Sequence, residues 1–554
     1  MSPRAARWLA LTGTVLWLAP LLRGAAPPSK KSGKRWFSRG SVRAAPEKEP
    51  SFRGYRIARI YVIRRQIFDV SIPSENKMGY RAVNHLHITT QERTVREQLL
   101  FNEGDLFNPE LARETERALR QILRLRDVRV KAVPVGGGRV DVLVESQDTW
   151  STEILLSMSG TGSETNYLLG ARERNALGLG KKVGFLYKKD TDLISRTFSY
   201  DDPALLGTRL RLAGNYQDTA DGSSRFLSLE RPFYSSLTRY SVKTQGSYDK
   251  SDTIVYQDGK EVDRYTQENR KLGGGVGFSL GSTTRRIRRL GLGYSYQHNR
   301  LDAAGSAATA GQDDVYHLIG PSMEWQQVDF ITEDHIRQYT REEDFNLGFS
   351  LKGNVGVSQS RWVPGAANAT MPQGTLTQGR LWGPGNLGLV TFQGNGRYEN
   401  GWQDTETKID LEYYNHFLPW STWAGHLAWD QVLHPAEDTQ LLLGGDTGLR
   451  GYPVNQFAGN RLFLANLENR LFFVPEVLNF FGVGAVVFGD AGYAWPRGQA
   501  VRFEDLRADY GAGLRIHLTR ASLGQVLRLD LAWPTRANNG NRSPVWTFGT
   551  SQVF

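Results

Sequence analysis

From Trp150 to Phe554 the chain is written in short runs in which apolar and polar side chains take alternate places. In Tyr510 to Leu518 the even positions Tyr510, Ala512, Leu514, Ile516 and Leu518 are apolar, while Gly511, Gly513, Arg515 and His517 are not. In Val526 to Trp533 the odd positions Leu527, Leu529, Leu531 and Trp533 are apolar, against Arg528 and Asp530. A period of two puts successive side chains on opposite faces of a strand, so each run predicts a strand with one apolar and one water-facing side. Clusters of Gly, Asn, Asp and Ser separate the runs, and no long helix is predicted among them.

Alternation also suits a soluble β-sandwich, and the choice between sandwich and membrane barrel comes from elsewhere. Arg4 and Arg7 precede an apolar run from Trp8 to Leu22, followed by Gly24, Ala25 and Ala26. This is the order of a secretory signal peptide, predicted over residues 1–26. Its apolar run of about 15 residues is too short to cross a hydrocarbon core of roughly 30 Å as an anchor. Beyond residue 25 no run of 18 apolar residues is free of charge, so no spanning helix is expected there. The chain has 59 Gly, 14 Trp and 11% aromatic residues at a mean hydropathy of -0.44. A chain polar on average yet rich in strand formers and interface-seeking rings suits a barrel between lipid and water. Trp495 and Trp533 stand near segment ends, and Trp546, Phe548 and the terminal Phe554 share one face of the last run.

The expected fold class is therefore membrane all-β, with a transmembrane antiparallel β-barrel over residues 150–554. Tilted spanning strands need roughly 9 to 11 residues, which predicts about 16 strands with their connections. Asp302 to Asp314 and Arg361 to Gln378 read as long outer loops. Outer-membrane lipid is the expected surrounding.

The formal net charge of +11 is unevenly placed. Residues 1–65 hold 15 Lys or Arg against two Glu, leaving 53 basic and 55 acidic residues in the rest. A basic nucleic-acid face is thereby disfavoured, and the charge belongs to the signal and to a flexible basic linker over 27–54. In that linker Trp36, Phe37 and the neighbouring cations offer an alternative reading as a plug or membrane-surface contact. The absence of cysteine rules out disulfides, thiolate metal sites and cysteine nucleophiles together.

Residues 55–147 have a different rhythm. Tyr55 to Phe68 predicts a strand, and Thr90 to Leu100 carries Val95, Leu99 and Leu100 at helical spacing. Asn108 caps and Pro109 opens a second helix in which Leu111, Thr115, Ala118, Leu119 and Ile122 repeat at three and four. Val128 to Val135 and Arg139 to Glu145 follow as strands, joined by Gly136, Gly137 and Gly138, which supply the positive φ of a tight turn. Strand, helix, helix, strand, strand describes a small two-layer α/β domain. That order and the run Arg96-Glu97-Gln98-Leu99-Leu100-Phe101-Asn102-Glu103-Gly104-Asp105-Leu106-Phe107-Asn108, continuing to Leu119 and Asp127-Val128, resemble a polypeptide-transport-associated (POTRA) domain. The resemblance implies a periplasmic domain that receives client polypeptides by adding an extended segment to a sheet edge.

The most informative run is Gly444-Gly445-Asp446-Thr447-Gly448-Leu449-Arg450-Gly451-Tyr452. Its Leu449, Arg450, Gly451 and Tyr452 resemble the sixth-outer-loop signature of the bacterial surface antigen superfamily, which contains the BamA insertase, TamA and the two-partner-secretion transporters. The family's partners have counterparts in Asn466-Leu467-Glu468 and in Phe488-Gly489-Asp490-Ala491-Gly492. Parity aligns Glu468 with Asn466 and Arg470, and Asp490 with Gly484 and Gly492, opposite Val483, Ala485, Val487 and Tyr493. Both carboxylates are thus expected in the lumen, where the Arg450 guanidinium could engage either or both. Asn175-Ala176-Leu177-Gly178-Leu179-Gly180 and Asp201-Asp202-Pro203-Ala204-Leu205-Leu206-Gly207 are similar to the family's first barrel strands. Trp546, Phe548 and Phe554 resemble the C-terminal signal by which such barrels reach the barrel-assembly machinery.

No nucleotide loop, zinc-protease helix or serine elbow is present, and the Gly273 to Gly277 cluster lacks dinucleotide spacing. His85 and His87 read as polar surface rather than metal ligands. No enzyme activity, cofactor or metal is expected. The resemblance implies transport or assembly of a client polypeptide, and a single POTRA-like domain favours a dedicated translocator over a general insertase. A passive pore with an adaptor domain is the alternative.

Overall fold

The computed structural model describes residues 52–161, 164–189, 194–303, 312–337, 342–436, 439–477, 481–521, 526–537 and 542–550. The predicted signal peptide, nearly all of the basic linker and Phe554 lie outside the described residues.

The small α/β domain over residues 55–147, the soluble domain, holds a three-stranded sheet ordered Arg56–Arg65, Arg139–Gln147, Arg126–Gly136. The first pair is parallel and the second antiparallel. Gly136, Gly137 and Gly138 turn the hairpin at φ of 85°, 59° and 69°, a conformation closed to most side chains. The helix Pro109–Ile122 lies over the sheet, with Asn108 Oδ1 accepting from Glu110 N at 3.0 Å as its cap. Leu119, Leu123, Val128, Val140, Val142 and Val144 are buried between the layers. The predicted helix over 90–100 is confined to Glu92–Arg96, and Met78–Leu86 adds a helix the sequence reading did not contain.

Beyond Trp150, twenty strands from Thr152–Thr161 to Val545–Gly549 close into one barrel, and every adjacent pair is antiparallel. This corrects the expectation of about 16. That figure allowed too many residues for turns and loops together, whereas Thr219 and Gly222, Gln257 and Lys260, and Leu418 and Ser421 are each joined by two residues. Residues set aside for loops are spent on strands. Of the two predicted outer loops, Arg361 to Gln378 enters the strand Ala369–Leu381 after its first eight residues. Arg286–Ala303 and Gln312–Gln327 flank the other, whose centre lies outside the described residues.

Burial follows the sequence alternation. Tyr510, Leu514 and Leu529 face outward and are exposed, while Arg515, His517 and Asp530 face inward and are buried. Outward-facing Trp325, Trp402, Trp420 and Trp423 stand at or near strand ends, the arrangement of an aromatic girdle. No described helix is long and apolar enough to cross a membrane.

The soluble domain docks on one end of the barrel through several strand connections. Thr94 Oγ1 donates to Gly178 O at 3.0 Å, and Ser236 N donates to Glu114 Oε1 at 2.7 Å. Leu177–Gly180 and Pro203–Gly207, taken from the resemblance as strand sequence, are turns on this end. A longer connection, residues 328–349, forms a hairpin of Phe330–Glu333 with Glu343–Asn346. This insert touches both the soluble domain and the barrel wall.

Candidate functional site

Residues 434–460 join the strands Ser421–Leu433 and Arg461–Val477, at the barrel end away from the soluble domain. In a barrel of twenty strands this is the eighth connection at that end rather than the sixth. The loop folds inward because half of its signature is apolar. Leu449 and Tyr452 are buried with Leu443, Leu462 and Leu464, and Phe457 packs edge-on to Tyr452 at 5.4 Å. Asn466 Nδ2 holds the Gly448 carbonyl at 2.7 Å.

This packing carries Arg450 between the two predicted carboxylates. Its Nη1 donates to Glu468 Oε1 at 2.6 Å, its Nε to Asp490 Oδ2 at 2.7 Å and its Nη2 to Asp490 Oδ1 at 2.8 Å. The Asp490 contact is the two-pronged geometry that suits a planar guanidinium. The Phe488 ring lies under the cation, 3.5 Å from the guanidinium carbon to the ring centre. Arg450, Glu468 and Asp490 are each 1–2% exposed, so the cluster is sealed from bulk water.

Gly451 has a steric reason. A Cβ there would lie 2.4 Å from Asp509 Cβ, and the Gly451 N–H donates to Asp509 Oδ2 at 2.9 Å. Asp509 is in register with Asp490, so two carboxylates lie side by side beneath the loop.

The cluster extends past the residues named from sequence. Arg470 Nε donates to Glu468 Oε2 at 2.9 Å, Arg515 pairs with Asp530, and Arg528 Nη1 lies 3.2 Å from Asp530 Oδ2. Arg450, Arg470, Arg515 and Arg528 thus face Glu468, Asp490, Asp509 and Asp530, a balanced set when all are ionised. Parity in the strands Arg507–Leu518 and Val526–Pro534 carries the signal for Arg515 and Asp530, since both fall on the inward positions.

Arg470 also joins the cluster to the insert, donating from Nη1 to Ile336 O at 2.8 Å. Ile336 and Phe345 are buried against Leu387, Tyr414 and Ala424 of the wall, and Arg337 Nη2 donates to Glu412 Oε2 at 2.7 Å. At its other end the insert meets the soluble domain. Asp344 takes two prongs from Arg120, at 3.1 Å from Nε and 2.8 Å from Nη2, and Phe330 lies under Arg117 at 4.5 Å. No residue pattern in 328–349 announces these contacts, because each partner is far away in sequence.

Of the C-terminal residues, Trp546 is exposed on the outer face with Phe548 half-buried on the same parity. His87, read as polar surface, has its side chain only 4% exposed, its Nε2 2.9 Å from Asp148 Oδ2 where the soluble domain joins the barrel. Elsewhere in the lumen, along the strands from Tyr240–Gln257 to Asn386–Tyr398, lies a cavity of about 1100 Å³ with a polar lining that includes Gln245, Asn269, Gln297 and Asn354.

Among solved structures, the chain is similar to BamA from Haemophilus ducreyi lacking POTRA domains 1-3, at 15% identity and a TM-score of 0.39. That match covers 89% of this chain and 85% of the other. CdiB from Acinetobacter baumannii matches at 11% identity and a TM-score of 0.42, covering 89% and 73% of the two chains. CdiB from Escherichia coli matches at 14% identity and 0.42, covering 89% and 76%. No curated protein sequence matches the chain. The model of the Omp85 superfamily domain matches residues 175–554. On that match, which takes in the Arg450 loop and both of its carboxylate partners, the chain belongs to the Omp85 superfamily of outer-membrane β-barrel proteins.

Proposed function

We propose that the protein translocates a client polypeptide across the outer membrane or inserts one into it, with the soluble domain on the periplasmic side receiving the client. The observation that carries this reading is the sealed Arg450–Glu468–Asp490 cluster on an inward-folded loop. A diffusion pore has no evident need of such a lock. A transporter can use it to hold its lumen shut until a client arrives, and the role is one of transport rather than catalysis.

The soluble domain supports the receiving step. Its sheet order leaves Arg126–Gly136 as an edge strand, the kind of surface to which an extended segment can add. The opposite edge is partly covered, since Phe107 N donates to Tyr55 O and Gly104 N to Ile57 O. A POTRA-like domain of this form accepts many sequences because backbone groups supply most of the recognition. One such domain fits a dedicated client better than a broad assembly role, and the barrel-assembly machinery would serve the chain's own insertion through its C-terminal strand.

The polar cavity in the lumen favours a second reading, a passive pore with an adaptor domain. Photo-crosslinkers at Lys131 on the edge strand and in the lumen beside Asp490, followed by mass spectrometry of captured material, separate the readings. One dominant secreted protein, stalled by Arg450→Ala, marks a dedicated translocator, and many barrel precursors mark an assembly factor. No captured polypeptide together with a steady open conductance leaves the pore.

A further inference from the structure

At its tip the insert places His335 against His416 of the strand Trp402–Leu418. The two imidazole rings are parallel, 5.4 Å between centres and 2° between planes. Hydrogen bonding fixes one of their tautomers. Thr422 has a single hydroxyl proton, and its Oγ1 lies 2.8 Å from the His335 carbonyl oxygen, which can only accept. The same Oγ1 lies 2.7 Å from His416 Nδ1 and, with its proton committed, must accept from the ring. Neutral His416 therefore carries hydrogen on Nδ1 and a lone pair on Nε2, the form that ligates metals.

His335 supplies an independent observation. Its Nδ1 is buried and lies 3.1 Å from Asp334 Oδ1. An imidazole nitrogen and a carboxylate oxygen held this close can serve as neighbouring ligands of one ion. His335 is also held at φ 57°, a left-handed backbone that a histidine adopts at some cost. One donor atom each from Asp334, His335 and His416 lies within 4.8 Å of the other two. Ligand atoms around a tetrahedral ion stand roughly 3.3 Å apart at ion-to-nitrogen distances of about 2.0 Å, so modest side-chain rotation closes the site. The cations nearby are already compensated, Arg337 by Glu412 and Arg470 by Glu468.

We propose that Asp334, His335 and His416 form a binding site for a zinc-class divalent transition-metal ion. Two imidazoles and one carboxylate are the donor set for such an ion, with a fourth position left for water. Oxygen-seeking magnesium is disfavoured by the same set. Because His335 belongs to the insert and His416 to the wall, the ion ties the two together, between the Asp344–Arg120 contact with the soluble domain and the Ile336–Arg470 contact with the loop cluster. The site stands independently of the transport reading.

The test uses the full chain in detergent, stripped with a chelator and titrated calorimetrically with zinc and, separately, magnesium. Saturable uptake of one zinc per chain and none of magnesium is expected, with an X-ray absorption signature of two imidazoles and oxygen. His335→Gln and His416→Gln should each weaken zinc binding by about 100-fold or more, and Asp334→Asn by roughly 10 to 100-fold. Heat-modifiable migration on gels shows whether each variant is folded. The proposal falls if the native protein takes up no more zinc than magnesium. It falls equally if a folded double histidine variant binds zinc as the native chain does.

Discussion

Arg450 sits where water cannot share its charge, and its value lies in what its removal leaves behind. Arg450→Ala strands Glu468 and Asp490 in a sealed pocket, and breaking one side of a buried ion pair costs about 3–5 kcal/mol. We expect the loop to leave the lumen while the barrel stays closed, read as new protease cleavage within 444–459 with unchanged heat-modifiable migration. Glu468→Gln keeps an acceptor for Arg450 and should release the loop less. Gly451→Ala adds one methyl against Asp509 Cβ at 2.4 Å and leaves every charge in place. It should release the loop nearly as fully as Arg450→Ala, and protection equal to the native loop would show that space at residue 451 is unimportant.

At the scale of elements, the insert 328–349 is the part that the alternation reading misses. It is a two-stranded hairpin too small to be stable alone, and it is held by Ile336 and Phe345 in the wall and by Asp344 on Arg120. Contacts therefore run without a break from the soluble domain through the insert to Arg470, Glu468 and Arg450. Arg120→Asp should loosen the insert and raise hydrogen exchange in Pro109–Ile122 and Phe330–Glu333. The exchanged pair, Arg120→Asp with Asp344→Arg, should recover at least half of the lost protection. No recovery would assign the effect to the helix alone.

For the whole molecule, the closing seam is, among the described residues, the shortest strand pairing of the barrel wall. Val545–Gly549 pairs with Thr152–Thr161 through Trp546 to Gly160, Thr547 to Ser159, Phe548 to Met158 and Gly549 to Ser157, whereas Tyr240–Gln257 and Lys260–Ser279 pair along nearly their whole length. The chain has no cysteine, so a disulfide can be placed there without interference. Directly paired positions such as Ser159 and Thr547 fall within the span a disulfide bridges. Ser159→Cys with Thr547→Cys, oxidised, should stop client insertion into the membrane through the seam but leave secretion through the lumen intact. Assaying both products before and after reduction tells the two activities apart.

Much of this is legible in the sequence alone. The alternation over Tyr510 to Leu518 and Val526 to Trp533 determined which side chains face outward, because a strand's period of two admits only one assignment once one face is apolar. Parity likewise put Glu468 and Asp490 on the inward face, and the glycine turn and helix cap of the soluble domain were local enough to read directly. The number of strands was not, since it depends on how few residues each connection spends, and no residue declares that. Nor could sequence show that Arg120 reaches Asp344, that Arg470 reaches Ile336, or that His335 lies against His416. Those pairs are separated by scores of residues along the chain and are brought together only when the barrel closes and the soluble domain docks on its end.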